Sequence, residues 1–402
     1  MKNTLPLVLI IFCLIILSCN APEKNKKTNP SMETNEPSST LLYVGTYTKK
    51  EGHVDGKADG IYILKMDNES GQLTAVDTIQ NVVNPSYLAL HPNGKYLYAV
   101  NEIAAAGDAE IGEVSAFYFN DKKNKFDFIN KVSSKGDAPC HISVDASGKY
   151  VLVANYVSGN IVSLPILKNG QLGEAVSEAQ HIRTGKKTPR QEAAHAHMAL
   201  PAIDGHSVFS VDLGADKIYH YQLNKNGELK EVAQTPTLEG GGARHMVFHP
   251  SQKWCYVVNE LANKIEAFNF KNTNSPFQRF QTIETLPEGM EKDGMYAAAI
   301  HIHPNGRFLY ASNRGTKNNK EQSIAIFKIN PKNGKLIFLG TQNTKGMIPR
   351  DFAIGPSGKF LLVANQNSDN IVTFKINMES GLLEETGIIA EVKTPVCLKF
   401  GK

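Results

Sequence analysis

The sequence predicts an all-β fold, a seven-bladed β-propeller with four antiparallel strands per blade. Three observations predict it. One phrase returns along the chain: a short apolar run, a turn such as His91-Pro92-Asn93-Gly94, then a second apolar run ending near an Asn. Taking Tyr87, His141, His197, His245, Ala299, Asp351 and Cys397 as equivalent gives intervals of 54, 56, 48, 54, 52 and 46 residues, the period of a four-stranded blade. The runs are rich in Val, Ile, Tyr and Phe, are punctuated by Gly, Asn and Pro, and have no long helical pattern between them. The last copy is only a first half, Pro395 to Phe400, and its second half stands at Leu41 to Tyr47. Pairing those two ends closes a ring and hides sheet edges that would otherwise invite aggregation.

Each element follows from the phrase. Strand one starts at a Pro-x-His-like site and descends to the His-Pro-x-Gly turn. Strand two returns, as in Tyr96–Val100, Tyr150–Ala154, Phe308–Ala311 and Phe360–Ala364. Strand three follows at Ser115–Phe119, Ile161–Leu164, Ile324–Ile329 and Ile371–Ile376. A polar turn such as Asn224–Gly227, Asn330–Gly334 or Asn377–Gly381 then leads to a weaker fourth strand. Asn101, Asn155, Asn259, Asn313 and Asn365 recur with the repeat and are read as satisfying turn backbone. His91, His249 and His303 lie in the turns at the opposite rim and are read as structural.

The ends of the chain read differently. Residues 1–19 carry Lys2 and an apolar run, Leu5 to Leu17, too short for a comfortable membrane span. Residues 20–40 are polar and read as a disordered linker, so the propeller is expected over 41–402. The stretch Ile16-Leu17-Ser18-Cys19 resembles the lipobox of bacterial lipoproteins. That resemblance implies lipidation at Cys19, export, and attachment to a membrane through the lipid alone. An ordinary secretory signal is the other reading. A formal charge of +4 over 402 residues, without basic stripes, argues against a nucleic-acid partner. Cys140, Cys255 and Cys397 are odd in number and lack metal-like spacing, so they are expected to be buried free thiols. No cofactor or metal is expected, and the chain is expected to act as a monomer.

Antiparallel pairing places the start of strand one and the end of strand two on the same rim. Reading those positions gathers Glu102, His141, His197, Arg244, His245, Glu260, Arg314 and Arg350 around one mouth of the channel. Arg forks onto carboxylate, phosphate or a developing oxyanion, and His is the natural base near neutral pH. Glu260 among arginines is expected to ionise easily and to orient them. Gly240-Gly241-Gly242 is a candidate source of N–H donors for an anion. His195 and His197 are two apart on a strand, a metal pair without a third ligand, or packing residues. Arg244 and His245 are adjacent and both reach the channel only if the strand begins after them. Glu102 is expected to pair with Arg350 or Arg314.

The chain resembles the seven-bladed lactonase family, which includes propeller-type 6-phosphogluconolactonases and a carboxy-muconate cyclase. The resemblance rests on Tyr43-Val44-Gly45-Thr46-Tyr47, His195-Ala196-His197, Ala243-Arg244-His245, Val258-Asn259-Glu260, Leu309 to Gly315, and Pro349-Arg350 with Val363 to Gln366. It implies an active site at His197 (or His195), Arg244, Arg314 and Glu260, with no required metal. His195, His245, Arg350, Glu102 and His141 are the expected substrate-binding residues. The implied activity is hydrolysis of a sugar-type lactone, phosphorylated or plain. A propeller that only binds an anionic ligand and a cyclase that forms a muconate-type lactone are the alternatives.

Overall fold

A computed structural model describes residues 1, 38–104, 112–183, 189–270, 274–316 and 321–401. Cys19 and the expected signal and linker up to residue 37 lie outside the described residues. The chain divides into Met1–Glu36 and Pro37–Lys402, and the second unit is the propeller. Its first strand starts at Ser39, two residues inside the stretch read as linker.

Among the described residues the strands form seven four-stranded sheets and one two-stranded ribbon. The first six blades run in chain order from Leu88, Pro139, Ala196, Ala243, Met295 and Pro349. The seventh is split. Pro395–Phe400 is its inner strand, paired antiparallel with Ser39–Thr46, with Tyr43 opposite Lys399 and Val44 opposite Leu398. The outer strands are half-buried or exposed over most of their length, as in Leu383–Glu391, and the inner ones are largely buried, as in Phe360–Asn365. The outermost strand of each blade is the one most exposed to water.

Neighbouring blades are locked by two repeated devices. In the turns opposite the mouth, His91, His249 and His303 each place Nε2 2.9–3.0 Å from a carbonyl of the following blade, at Gly148, Gly306 and Gly358. Their Nδ1 atoms accept backbone N–H groups inside their own turns, at Asn93, Ser251 and Asn305. These histidines are thus structural, as the repeat implied. At the outer turns, Gly334 sits at φ +71° against the Trp254 ring of the preceding blade, where a Cβ would lie 2.4 Å from the indole. Only glycine fits both the conformation and the approach. The recurrent Asn residues also act on backbone: Asn155 donates to Ser134 O, Asn313 to Thr285 O and Asn365 to Thr344 O.

Candidate active site

The inner strands do not enter the channel regularly. In six blades a β-bulge sits at the first turn of strand one, where the register slips by one residue. Pro139 pairs with Asn155 and His141 with Ala154, which leaves Cys140 extra. The same register makes His197, Arg244, Arg350 and Val396 the extra residues elsewhere, and in the fifth blade sets Ala298 and Ala299 against the single residue Ser312. A bulge breaks the up-down alternation, so two consecutive side chains can share one face. This is why Arg244 and His245 meet at one place, with Nη1 3.3 Å from Nε2, although the strand begins before them at Ala243. The pairing also corrects the alignment of the third blade. His197 occupies the rung of Arg244 and Arg350, and Met198, not His197, stands level with His141 and His245. Anchoring the repeat on histidine shifted that copy by one.

Glu260 is the hub of the mouth. It follows Asn259 at the end of a second strand and is 4% exposed. Its Oε2 meets Arg244 Nε at 2.9 Å and Arg314 Nη2 at 3.0 Å, and its Oε1 meets Arg190 Nη2 at 3.0 Å. Arg244 and Arg314 also donate to the carbonyls of Ala298 and Ala297, at 2.9 and 3.1 Å. The small side chains of that neighbouring strand leave room for two guanidinium groups. Burial alone would raise the Glu260 carboxyl, but Arg314, Arg244 and Arg190 overcome it and hold it well below the usual carboxylate range. Burial pushes Arg314 down to about 10 against the pull of Glu260. Arg314 remains charged at neutral pH.

His197 lies beside this hub. Its Nδ1 is 3.8 Å from the Cys140 sulfur, and its ring meets Tyr156 and His245 edge-on at 5.5 and 5.3 Å. No carboxylate or carbonyl binds its Nε2 among the described residues. Burial, then Arg244, lowers its pKa well below 6.5, so the ring is neutral at pH 7. His195 differs: Nδ1 is 2.9 Å from Tyr156 O, Nε2 is 3.2 Å from Glu192, and the ring stacks on Tyr156 at 4.5 Å. Both of its nitrogens are engaged. It precedes the strand, and the bulge separates it from His197, so the two do not form the regular pair expected from their spacing.

Opposite Glu260, Glu102 accepts from Ser86 Oγ and lies 3.9 Å from Arg350 Nη2. Of the two partners expected for Glu102, Arg350 is the one the fold supplies. Arg350 also lies over the Tyr47 ring at 5.4 Å. His53, from the ribbon Lys50–Glu51 and Val54–Asp55, reaches Tyr47 Oη at 3.2 Å and Glu102 at 3.8 Å. His141 and His245 stand deeper, packed around Tyr87 at 4.4 and 6.0 Å, and burial keeps both neutral. The glycine triplet offers no donors to an anion. Gly240 N and Gly242 N are held by Asp216 at 2.7 and 2.8 Å, and Gly241 N by Leu238 O. Cys140, Cys255 and Cys397 are buried free thiols, and burial raises each. No group of three or more His, Cys, Asp or Glu fit to hold a metal occurs among the described residues.

The family model described as "Lactonase, 7-bladed beta-propeller" matches residues 41–400. The chain belongs to the seven-bladed β-propeller lactonase family. It is 36% identical to a 6-phosphogluconolactonase of Bacillus subtilis over 89% of this chain and 97% of that one. A 6-phosphogluconolactonase of Formosa agariphila is 34% identical over 86% and 94%. Among solved structures, the periplasmic gluconolactonase of Pseudomonas aeruginosa superposes with a TM-score of 0.82 at 31% identity, covering 91% of this chain and 99% of that one. Such relatives support a lactone hydrolase acting on a small molecule.

Within this lactonase, the residues missed by sequence reasoning are Arg190 and His53. Arg190 and His53 come from segments outside the repeat, so no comparison of copies reaches them. The one available signal was length: the connection from Gln180 to Ala196 is longer than its counterparts, such as Pro236 to Ala243.

Proposed function

We propose that this lactonase hydrolyses a sugar-type lactone at the mouth built around Glu260. The observation that carries this reading is a neutral histidine, His197, beside arginines fixed by one ionised carboxylate. With Nδ1–H directed to the Cys140 sulfur, Nε2 is the basic atom. It takes a proton from water as the water oxygen bonds to the ring carbonyl carbon. Arg244 Nη2 and Arg314 Nη1, which have no partner among the described residues, stabilise the oxyanion. The tetrahedral species collapses, the ring C–O bond breaks, and the ring oxygen recovers the proton from His197. Glu260 stays ionised throughout and holds the two forks in place. His195, with both nitrogens engaged, orients Tyr156 rather than moving protons.

The names of the relatives support phosphorylated or plain gluconolactones as first substrates. The test is a pH-stat panel of both, corrected for spontaneous opening, with a muconate-type diacid as a reverse arm. Opening above background supports the hydrolase, lactone formation from the diacid supports the cyclase, and tight binding without turnover supports a binding propeller. We further propose that Cys19 is lipidated and tethers the propeller outside the cytoplasm. Labelled fatty acid should enter the wild type and be lost in Cys19→Ala.

A further inference from the structure

We infer that Arg190 is a specificity-determining residue that grips an oxyanion carried by the substrate away from its ring carbonyl, which makes the preferred substrate an acidic sugar lactone. This rests on the lactonase reading above.

Three guanidinium groups meet the single carboxylate of Glu260. Two positive charges are therefore left over at the hub, and the neutral His197 and Tyr156 beside it do not offset them. The three arginines are not equivalent. Arg244 and Arg314 are 3% and 10% exposed in their side chains, share Oε2, and are pinned to backbone carbonyls, Arg244 to Ala298 O of the next blade and Arg314 to Ala297 O of its own. Arg190 is 48% exposed, and one nitrogen, Nη2, makes both of its contacts, with Glu260 Oε1 and Tyr156 Oη, each at 3.0 Å. The rest of its fork is unspent among the described residues. A fork of that kind suits two-point recognition of phosphate or carboxylate.

The backbone is committed to this placement. Arg190 adopts φ +70°, a conformation unfavourable for a residue with a Cβ. It is held there by its neighbour Gln191, which is 2% exposed and donates to Leu213 O at 2.7 Å and to Asp216 at 2.8 Å. Asp216 in turn organises the glycine loop before Arg244. The fold thus fixes a strained residue beside the mouth while leaving its side chain open, the combination found where strain serves a site.

The test compares the wild type with Arg190→Asn, which tolerates positive φ and removes the charge, and Arg190→Lys, which keeps the charge without the fork. Substrates are glucono-lactone, 6-phosphogluconolactone and a glucarolactone, the last two separating phosphate from carboxylate. The expected result is a rise of at least tenfold in the ratio of KM for one or both acidic lactones to KM for glucono-lactone in Arg190→Asn, and a smaller rise in that ratio in Arg190→Lys. Equal losses on all three lactones, or none, would overturn the inference. Calorimetric binding of 6-phosphogluconate, glucarate and gluconate is read in parallel. If the wild type turns over no lactone, the hydrolase reading fails. Arg190 is then still supported by tenfold weaker binding of 6-phosphogluconate or glucarate in Arg190→Asn, and is overturned if neither binds more weakly there or if the wild type binds neither better than gluconate.

Discussion

Replacing Glu260 by Gln keeps the shape of the hub and removes its only negative charge. Arg244 and Arg314, at 2.9 and 3.0 Å from Oε2 and nearly buried, would then face each other without compensation. Removing one partner from a buried ion pair costs about 3–5 kcal/mol. The amide oxygen still accepts hydrogen bonds, so the lower figure, about 3 kcal/mol, applies. Unfolding entropy near 2.1 cal/mol/K per residue gives a ring of this size roughly 0.75 kcal/mol/K, so Tm should fall by about 4 °C. Adding phosphate should restore part of that, because an anion can take the place of the carboxylate. With both forks released, turnover should fall about 10²-fold or more, the scale of losing one oxyanion donor. Calorimetry with and without phosphate, alongside lactone opening, reads all three effects. An unchanged Tm together with full activity would refute the view that Glu260 organises the mouth.

Three further outcomes follow from the site and the blades. His197 is the base only when neutral, and its pKa is held below 6.5 by burial and Arg244. The kcat/KM of lactone opening should therefore be level at pH 7 and fall only as pH drops below 6.5, as read by a pH-rate profile. An acidic limb centred above 6.5 would contradict this. His141, His197 and His245 all resist protonation when folded, so unfolding takes up protons and stability should decline in the same window as pH falls below 6.5. Gly334→Ala places a methyl against the indole of Trp254 at positive φ and should cost about 2 kcal/mol or more. Trp254 is the sole tryptophan, so its fluorescence during urea unfolding reports the loss directly.

The blades were legible because their signal repeats. His-Pro-x-Gly turns, closing Asn residues and the split seventh copy each recur or complete one another, and the structure pairs Pro395–Phe400 with Ser39–Thr46 as the halves implied. The convergence of Glu260, Arg244 and Arg314 followed from antiparallel geometry alone. The bulges were not legible. An extra residue changes no composition, yet it moves His197 level with Arg244 and lets Arg244 meet His245. The donors of Gly240 and Gly242 looked available because their acceptor, Asp216, lies in the loop of another blade. Arg190 and His53 were missed because they sit where the repeat is interrupted, and a reading built on equivalence passes over what has no equivalent.

The central claim is that His197, not His195, moves the proton in lactone opening. It is tested most directly by kcat/KM of His197→Asn and His195→Asn on one lactone, above the spontaneous rate. The account predicts a loss of about 10²–10⁴-fold for His197→Asn, the usual scale for a general base, and less than tenfold for His195→Asn. Full activity in His197→Asn, or a larger loss in His195→Asn, would contradict it.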